Sequence, residues 1–283
     1  MKGISKAARA QYAVNTYAYT MSHTAVDCFA ALADRGYREF ELMMYPGHAW
    51  PADLDGAQRK RLVRFLESRS LAVRTLNQPN LDINLAAATL EMRAYSLAIV
   101  RGIVEFAGDL GAEAVVIGPG KANPLFPAPV ETLTGVFFSA LDALLPIARR
   151  AGVKLVVENM PFCFLPDAVG LMGALERYGS DEIGVVYDIA NAEFIREDLA
   201  DGLRRVAPRL HSVHVSDTDR SIYRHGPVGT GTVPFEHARA LLGALPHRRR
   251  PILEIVSAHA DADIDLSVEA LSRMGWDSLY DSA

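Results

Sequence analysis

Cysteine is almost missing from this sequence: Cys28 and Cys163 are the only two in 283 residues, in no CxxC pair and at no zinc-ligand spacing. That excludes a disulfide framework, and reduced thiols in the cytoplasm are the expectation. Apolar runs approaching the ~20 uninterrupted residues that span a bilayer are also missing. Lys2, Lys6 and Arg9 are followed by no apolar stretch, so the start of the chain does not read as a secretory signal. A soluble, cytoplasmic protein without membrane contact is expected. Positive charge is not in excess: 29 Lys and Arg stand against 34 Asp and Glu, a formal charge of −5. This balance argues against a protein that grips nucleic acid. The one dense basic cluster, Arg248-Arg249-Arg250, precedes an apolar run and reads as a solvated loop rather than an anion site. There is no linker, low-complexity tract or shift in composition, so a single domain over residues 1–283 is the economical reading.

What is present is rhythm. Half of the residues are hydrophobic, and they gather in short β-rich runs at Tyr12–Thr16, Glu39–Met43, Ala72–Leu76, Ala114–Ile117, Lys154–Glu158, Ile183–Asp188, Leu210–Val215 and Pro251–Val256. These eight runs recur roughly every 26 to 43 residues, the spacing of strand-plus-helix units. Continuous apolar strands suit a sheet covered on both faces. Between them, Met92, Tyr95, Ile99, Ile103, Phe106 and Leu110 fall at steps of three and four, predicting one helical stripe within Leu85–Gly111. Val130, Leu133, Phe137, Leu141 and Leu144 repeat the pattern. Gly36, Gly111 and Gly152 each stand before a strand, as helix-ending glycines do. An open doubly wound sheet would carry a glycine-rich nucleotide loop after its first strand. Here that strand runs into Asn15-Thr16-Tyr17-Ala18-Tyr19. The closed α/β form, a (β/α)₈ TIM barrel, is the predicted fold class.

Four polar residues stand where apolar strands end: Glu158 closes KLVVE, Asp188 closes GVVYD, His214 lies in HSVHV and Glu254 in PILEI. In a barrel, the C-terminal ends of successive strands converge on one mouth, where active sites sit. A single acid at a strand end reads as a charge that meets solvent; four such groups on consecutive strands read as a functional site. Three carboxylates together repel, and a bound cation is the simplest way to keep them ionised. Three carboxylates and one imidazole suit Mn²⁺ first, with Mg²⁺, Co²⁺ or Zn²⁺ also compatible.

These residues bring a resemblance into view. With "LNQPNLDINLA" after the third strand, "EFAGDLGAEAVVIGPG" into the fourth, "VVENMP", "GVVYDIANAEF", "HSVHVSDTDR", "GPVGTGTVPF" and "LEI", the chain resembles the xylose isomerase-like TIM barrels over nearly its whole length. That group includes sugar-phosphate isomerases and epimerases, ketose 3-epimerases, inosose isomerases and dehydratases, and endonuclease IV-like enzymes. The resemblance implies Glu158, Asp188, His214 and Glu254 as metal ligands, Arg220 as a clamp on substrate oxygens, and assembly into dimers or tetramers. Three departures stand out. The D-x-x-H pattern of many members reads Asp188-Ile189-Ala190-Asn191 here, and Asn191 can hydrogen-bond substrate but not carry a proton. The phosphodiesterase branch has a histidine before Pro-Gly on strand four, where this chain has Gly118, and D-x-H where it reads Tyr223-Arg224-His225. An endonuclease IV-like activity is therefore a minor alternative.

Other residues carry two readings each. Glu41, at the end of the second run, either orients a substrate hydroxyl or pairs with a nearby donor. Trp50, Phe162 and Phe164 fall in loops and either stack on a sugar or pack loop on loop. His225 is a substrate contact or a plain surface histidine. Asp217 and Asp219 read as loop caps, Gly229 and Gly231 as a tight turn rather than a phosphate loop, and Cys163 as a small apolar filler. His211, three positions before His214, is expected to face the helices.

The leading expectation is a metal-dependent isomerase or epimerase of a small polyhydroxy ketone or aldehyde. The metal would bind the carbonyl as a Lewis acid, and the resemblance to the epimerases implies that Glu158 and Glu254 remove and return the proton beside it. Arg220 would fix the remaining oxygens. A dehydratase of a cyclic polyhydroxy ketone, with His225 or Glu41 as acid, is the alternative. A metal-free carbohydrate-binding subunit is the third reading, disfavoured by the intact ligand set. Whether the substrate is phosphorylated stays open.

Overall fold

A computed structural model describes residues 4–79 and 82–279; Asn80 and Leu81, within the segment after the third strand, lie outside the described residues. The strands are β1 (Ala13–Asn15), β2 (Glu39–Met43), β3 (Ala72–Asn77), β4 (Ala114–Ile117), β5 (Lys154–Glu158), β6 (Gly184–Asp188), β7 (Leu210–Val215) and β8 (Ile252–Leu253). Each pairs in parallel with the next, and β8 closes on β1, giving the (β/α)₈ barrel. Four of the predicted runs coincide with a strand end to end. The last does not: beyond Leu253 the chain leaves the ladder, so the amide of Glu254 still reaches Val215 but that of Val256 bonds His225 in a loop.

Around the strands lie helices α1 (Lys6–Arg9), α2 (Ala25–Arg35), α3 (Gly56–Ser68), α4 (Leu90–Leu110), α5 (Val130–Ala151), α6 (Ala168–Tyr178), α7 (Ile189–Phe194), α8 (Leu199–Val206), α9 (Phe235–Gly243) and α10 (Ala260–Arg273). Gly36, Gly111 and Gly152 end α2, α4 and α5 with positive φ, which glycine adopts without a Cβ clash. The helix predicted from Leu85 begins later, because the Thr89 hydroxyl caps it by accepting from the Met92 amide. Its stripe is right from Ile103 onward, but Met92 and Tyr95 are exposed; the buried face of the early turns is Ser96 and Val100. α5 has the length and composition to cross a membrane, yet it packs on α4 and buries Leu133, Phe137, Leu141 and Leu144, with Val130 left exposed.

Inside the barrel, Ala114, Val116, Val156 and Val186 form a small apolar plug. Two residues further along their strands, the period-two alternation puts Glu158 and Asp188 on the same inner face. Register sets Asn15 beside Glu41 and Asp188 beside His214. The interior thus changes from apolar to polar within one pleat.

Candidate active site

Asp188 ends β6 and also caps α7: its Oδ1 accepts from the amides of Ala190 at 2.7 Å and Asn191 at 2.9 Å. Asn159 locks the same residue by accepting from its amide at 2.7 Å and donating to its carbonyl at 3.0 Å. Only Oδ2 is left, and it is buried without a hydrogen-bond partner among the described residues. Glu254 is similar: Oε1 accepts from Asn15 at 3.3 Å, while Oε2 is buried and unpartnered. The Nδ1 of His214 lies 3.0 Å from that Oε2, 3.2 Å from Glu158 Oε1 and 3.9 Å from Asp188 Oδ2. One donor atom from each of the four residues falls within 4.8 Å of the others, and all four side chains are buried.

The far nitrogen of His214, Nε2, lies 3.0 Å from Glu41 Oε1, a close ion-pair contact off the line of a good hydrogen bond. Glu41 is itself fully buried and receives donors from Asn15 at 2.7 Å, Asn77 at 3.0 Å and Thr75 at 2.6 Å. Burial opposes its charge, but His214, Thr75 and Asn77 outweigh it and hold the carboxyl at about 2. Glu41 thus stands beside the far nitrogen of His214, where a carboxylate commonly orients an imidazole whose other nitrogen holds a metal. Glu41 therefore pairs with donors beneath the site; it does not line the cavity at the barrel mouth.

Burial pushes Glu158 up, and raises Asp188 to about 6 against the pull of His225 and His214. For His214, burial opposes the charge but Glu41, Glu254 and Glu158 raise its pKa well above the ordinary value. Three buried acids around one imidazole, with two carboxylate oxygens that accept no hydrogen bond, are strongly unfavourable unless a cation offsets them. The residues present fit a divalent ion.

A cavity of about 360 Å³ opens above this cluster. Glu158 and Glu254 line it, whereas Asp188 and His214 sit below. Asn191 and His225 line it, together with Tyr17, Tyr223, Arg224 and Phe162. Cys163 also touches it; burial pushes its thiol up to about 12, as for an inert filler. Phe164 packs instead edge-on against Phe137.

Three expectations are corrected. Arg220 does not line the cavity: its guanidinium donates to the buried Glu193 of α7, at 2.8 Å from Nε and 3.3 Å from the terminal nitrogen. Among the described residues Arg220 is the cation within reach of Glu193, which also accepts from the Thr232 hydroxyl. Trp50 lies outside the mouth, in a surface groove with Pro51 and Tyr95. His211 does not face the helices: the β6–β7 register slips between Val185 and Val186, so alternation breaks there. It lines an opening of about 700 Å³ at the other end of the barrel, with Ala13, Thr75 and Ser212. That opening is larger than the mouth cavity but lies away from the carboxylates, and its guanidiniums are tied down: Arg74 to Glu39 and Glu113, Arg249 to Glu113, Arg250 to Glu39.

The loop after β7 fits its sequence reading. Asp217 accepts from the amides of Thr218, Gly229, Gly231 and Val233, and Asp219 from those of Ser221 and Ile222. The glycine amides are used up inside the turn, so this is no phosphate loop. Sequence reasoning missed Asn15, Thr75 and Asn77, the donors around Glu41. Their signal is polar residues at inward positions of β1 and β3.

The model of the xylose isomerase-like TIM barrel family matches residues 29–275, and the chain belongs to that family. It is 27% identical over 185 residues to the L-ribulose-5-phosphate 3-epimerase UlaE of Escherichia coli O1:K1, covering 65% of this chain and 63% of that one. An uncharacterized protein of Methanocaldococcus jannaschii is 25% identical over 167 residues, 56% of each chain. The chain thus spans between half and two-thirds of the length of these relatives. Among solved structures, a D-tagatose 3-epimerase-like protein superposes with a TM-score of 0.80 at 20% identity, covering 93% of this chain and 96% of that one. The IOLI protein with a bound zinc atom superposes with a TM-score of 0.78 at 17% identity, covering 96% and 99%.

Proposed function

We propose that this protein is a divalent-metal-dependent isomerase or epimerase of a small polyhydroxy ketone or aldehyde. The observation that carries the reading is the convergence of Asp188 Oδ2 and Glu254 Oε2, both buried and without a hydrogen bond, around the Nδ1 of His214 beneath the mouth cavity. Glu158, Asp188, His214 and Glu254 would hold the ion, Mn²⁺ by preference for this donor set. When bound, it supplies Lewis-acid polarisation of a substrate carbonyl. Glu158 and Glu254 are the two members of the set that reach the cavity, so one takes the proton beside the carbonyl and the other returns it to the opposite face. Met160, Phe162 and Tyr17 supply apolar surface to the same cavity. The epimerase names among the relatives support the same chemistry. The dehydratase reading is weaker, since Glu41 is sealed off and both nitrogens of His225 already have partners in Ser216 and Tyr223. A dimer or tetramer accompanies the proposal, to be measured as mass in solution.

The test is Mn²⁺-loaded protein in deuterated water against ketoses, ketose phosphates and inososes. Deuterium should enter at the carbon beside the carbonyl, with an epimer or isomer as product. Glu254→Gln keeps the side-chain volume but removes a charge, so ion affinity and exchange should fall together. Wild-type protein that binds no divalent ion and exchanges no substrate proton would refute the proposal.

A further inference from the structure

Four side chains above the carboxylate cluster make a hydrogen-bonded chain whose direction is forced. Asn191 Nδ2 contacts the Asn159 carbonyl at 2.8 Å and Glu158 Oε1 at 3.3 Å. The carbonyl can only accept, and so can the Glu158 carboxylate, so the amide nitrogen must face them and Oδ1 must face Tyr223. The Tyr223 hydroxyl, 2.8 Å from that Oδ1, therefore donates its one hydrogen to Asn191. Its oxygen is then left to accept from His225 Nε2, 3.0 Å away. In the neutral ring His225 must therefore carry its proton on Nε2, and its bare Nδ1 accepts from the Ser216 hydroxyl at 2.9 Å. The same Nδ1 lies 3.6 Å from Asp188 Oδ2 and 3.6 Å from Glu254 Oε2, the two unpartnered carboxylate oxygens. The other tautomer would bring an N–H toward those oxygens.

We propose that Tyr223 is a positioning residue: through Asn191 it fixes Glu158, and through His225 it keeps the nitrogen nearest Asp188 and Glu254 free of a proton. Asn191 thus takes its orientation from the Asn159 carbonyl on one side and from a tyrosine of the loop after β7 on the other. The Tyr223 ring is held by Phe162 at 5.2 Å and Phe194 at 5.1 Å between centroids, so its hydroxyl has little freedom to turn elsewhere. The effect on ion affinity rests on the function proposed above; the hydrogen-bond directions do not.

The experiment reads the His225 tautomer by ¹⁵N NMR in metal-free protein at about pH 8, where an ordinary imidazole is neutral, and then titrates Mn²⁺. Wild type should show Nε2–H. Tyr223→Phe keeps all ring contacts but removes the hydroxyl, and should give mixed tautomers and an Mn²⁺ Kd raised about 10- to 100-fold. Ser216→Ala removes the other partner and should leave Nε2–H in place. Wild type with the proton on Nδ1, or a tautomer that responds to Ser216→Ala and not to Tyr223→Phe, would overturn the inference. Unchanged Mn²⁺ affinity in Tyr223→Phe would overturn its functional half. Absence of Mn²⁺ binding in wild type would strike the proposed function instead, with the tautomer measurement still deciding the chain's direction.

Discussion

Arg220 and Glu193 show how one buried charge redirects another residue. Glu193 is 3% exposed and takes donors from Arg220 and from the Thr232 hydroxyl at 2.8 Å. The Arg220 side chain, by contrast, is 53% exposed. A pair with one partner so open to water contributes about 1 kcal/mol or less. Arg220→Ala should accordingly lower stability by no more than that and leave Mn²⁺ affinity unchanged, with kcat/KM close to wild type. A fall of about tenfold or more would correspond to a lost charge-assisted contact of at least about 1.4 kcal/mol. It would mean that the guanidinium leaves Glu193 for the substrate, as the family resemblance implies.

At the scale of an element, the loop after β7 decides whether Tyr223 and His225 stand over the site at all. Asp217 gathers four amides on one carboxylate, and Gly231 passes so close to it that a Cβ would lie 2.0 Å from the Thr218 carbonyl oxygen and 2.4 Å from Asp217 Oδ1. Backbone cannot yield by that amount without opening the turn. Gly231→Ala should cost about 1–3 kcal/mol, the range for overpacking, and weaken ion binding as His225 and Tyr223 shift. Gly135→Ala in α5 makes the control, since a Cβ there meets nothing within 4 Å; it should stabilise by about 0.5–1 kcal/mol. Urea unfolding of both variants gives the comparison, and a neutral Gly231→Ala would remove the loop's assigned role.

The whole molecule depends on joining its two ends. Arg9 of α1 forks onto Asp265 of α10 at 2.9 and 2.8 Å, Arg35 of α2 adds a contact at 2.8 Å, and Tyr37 donates at 3.1 Å. Burial works to raise the Asp265 pKa, but Arg9 and Arg35 more than reverse it, so the folded value lies below the ordinary one. A depressed carboxyl stabilises fully above its unfolded value of about 3.9 and loses that contribution as pH falls through the folded value. Asp265→Asn should therefore be less stable than wild type by about 1.5–3 kcal/mol at neutral pH, the range for charge-assisted hydrogen bonds. The gap should hold from about pH 5 upward and shrink as pH falls through the lowered folded value. Denaturation midpoints across that range test it; a gap that persists undiminished in acid would point to packing instead.

Strand positions, helix-ending glycines and the four convergent residues could all be read from the sequence, because each follows from local periodicity. Two-residue alternation carries Val156 to Glu158 and Val186 to Asp188 without reference to anything distant. Helix ends were harder, since capping at Thr89 competes with an apolar pattern that runs on through Leu85. What only the tertiary structure decided was partnership. Glu41 finds Asn15, Thr75, Asn77 and His214 on three other strands; Arg220 finds Glu193 on helix α7; His211 turns inward because two strands slip in register. Each outcome depends on which donor or acceptor lies about 3 Å away across the fold, and a buried charge takes the partner within reach. Sequence spacing does not contain that distance.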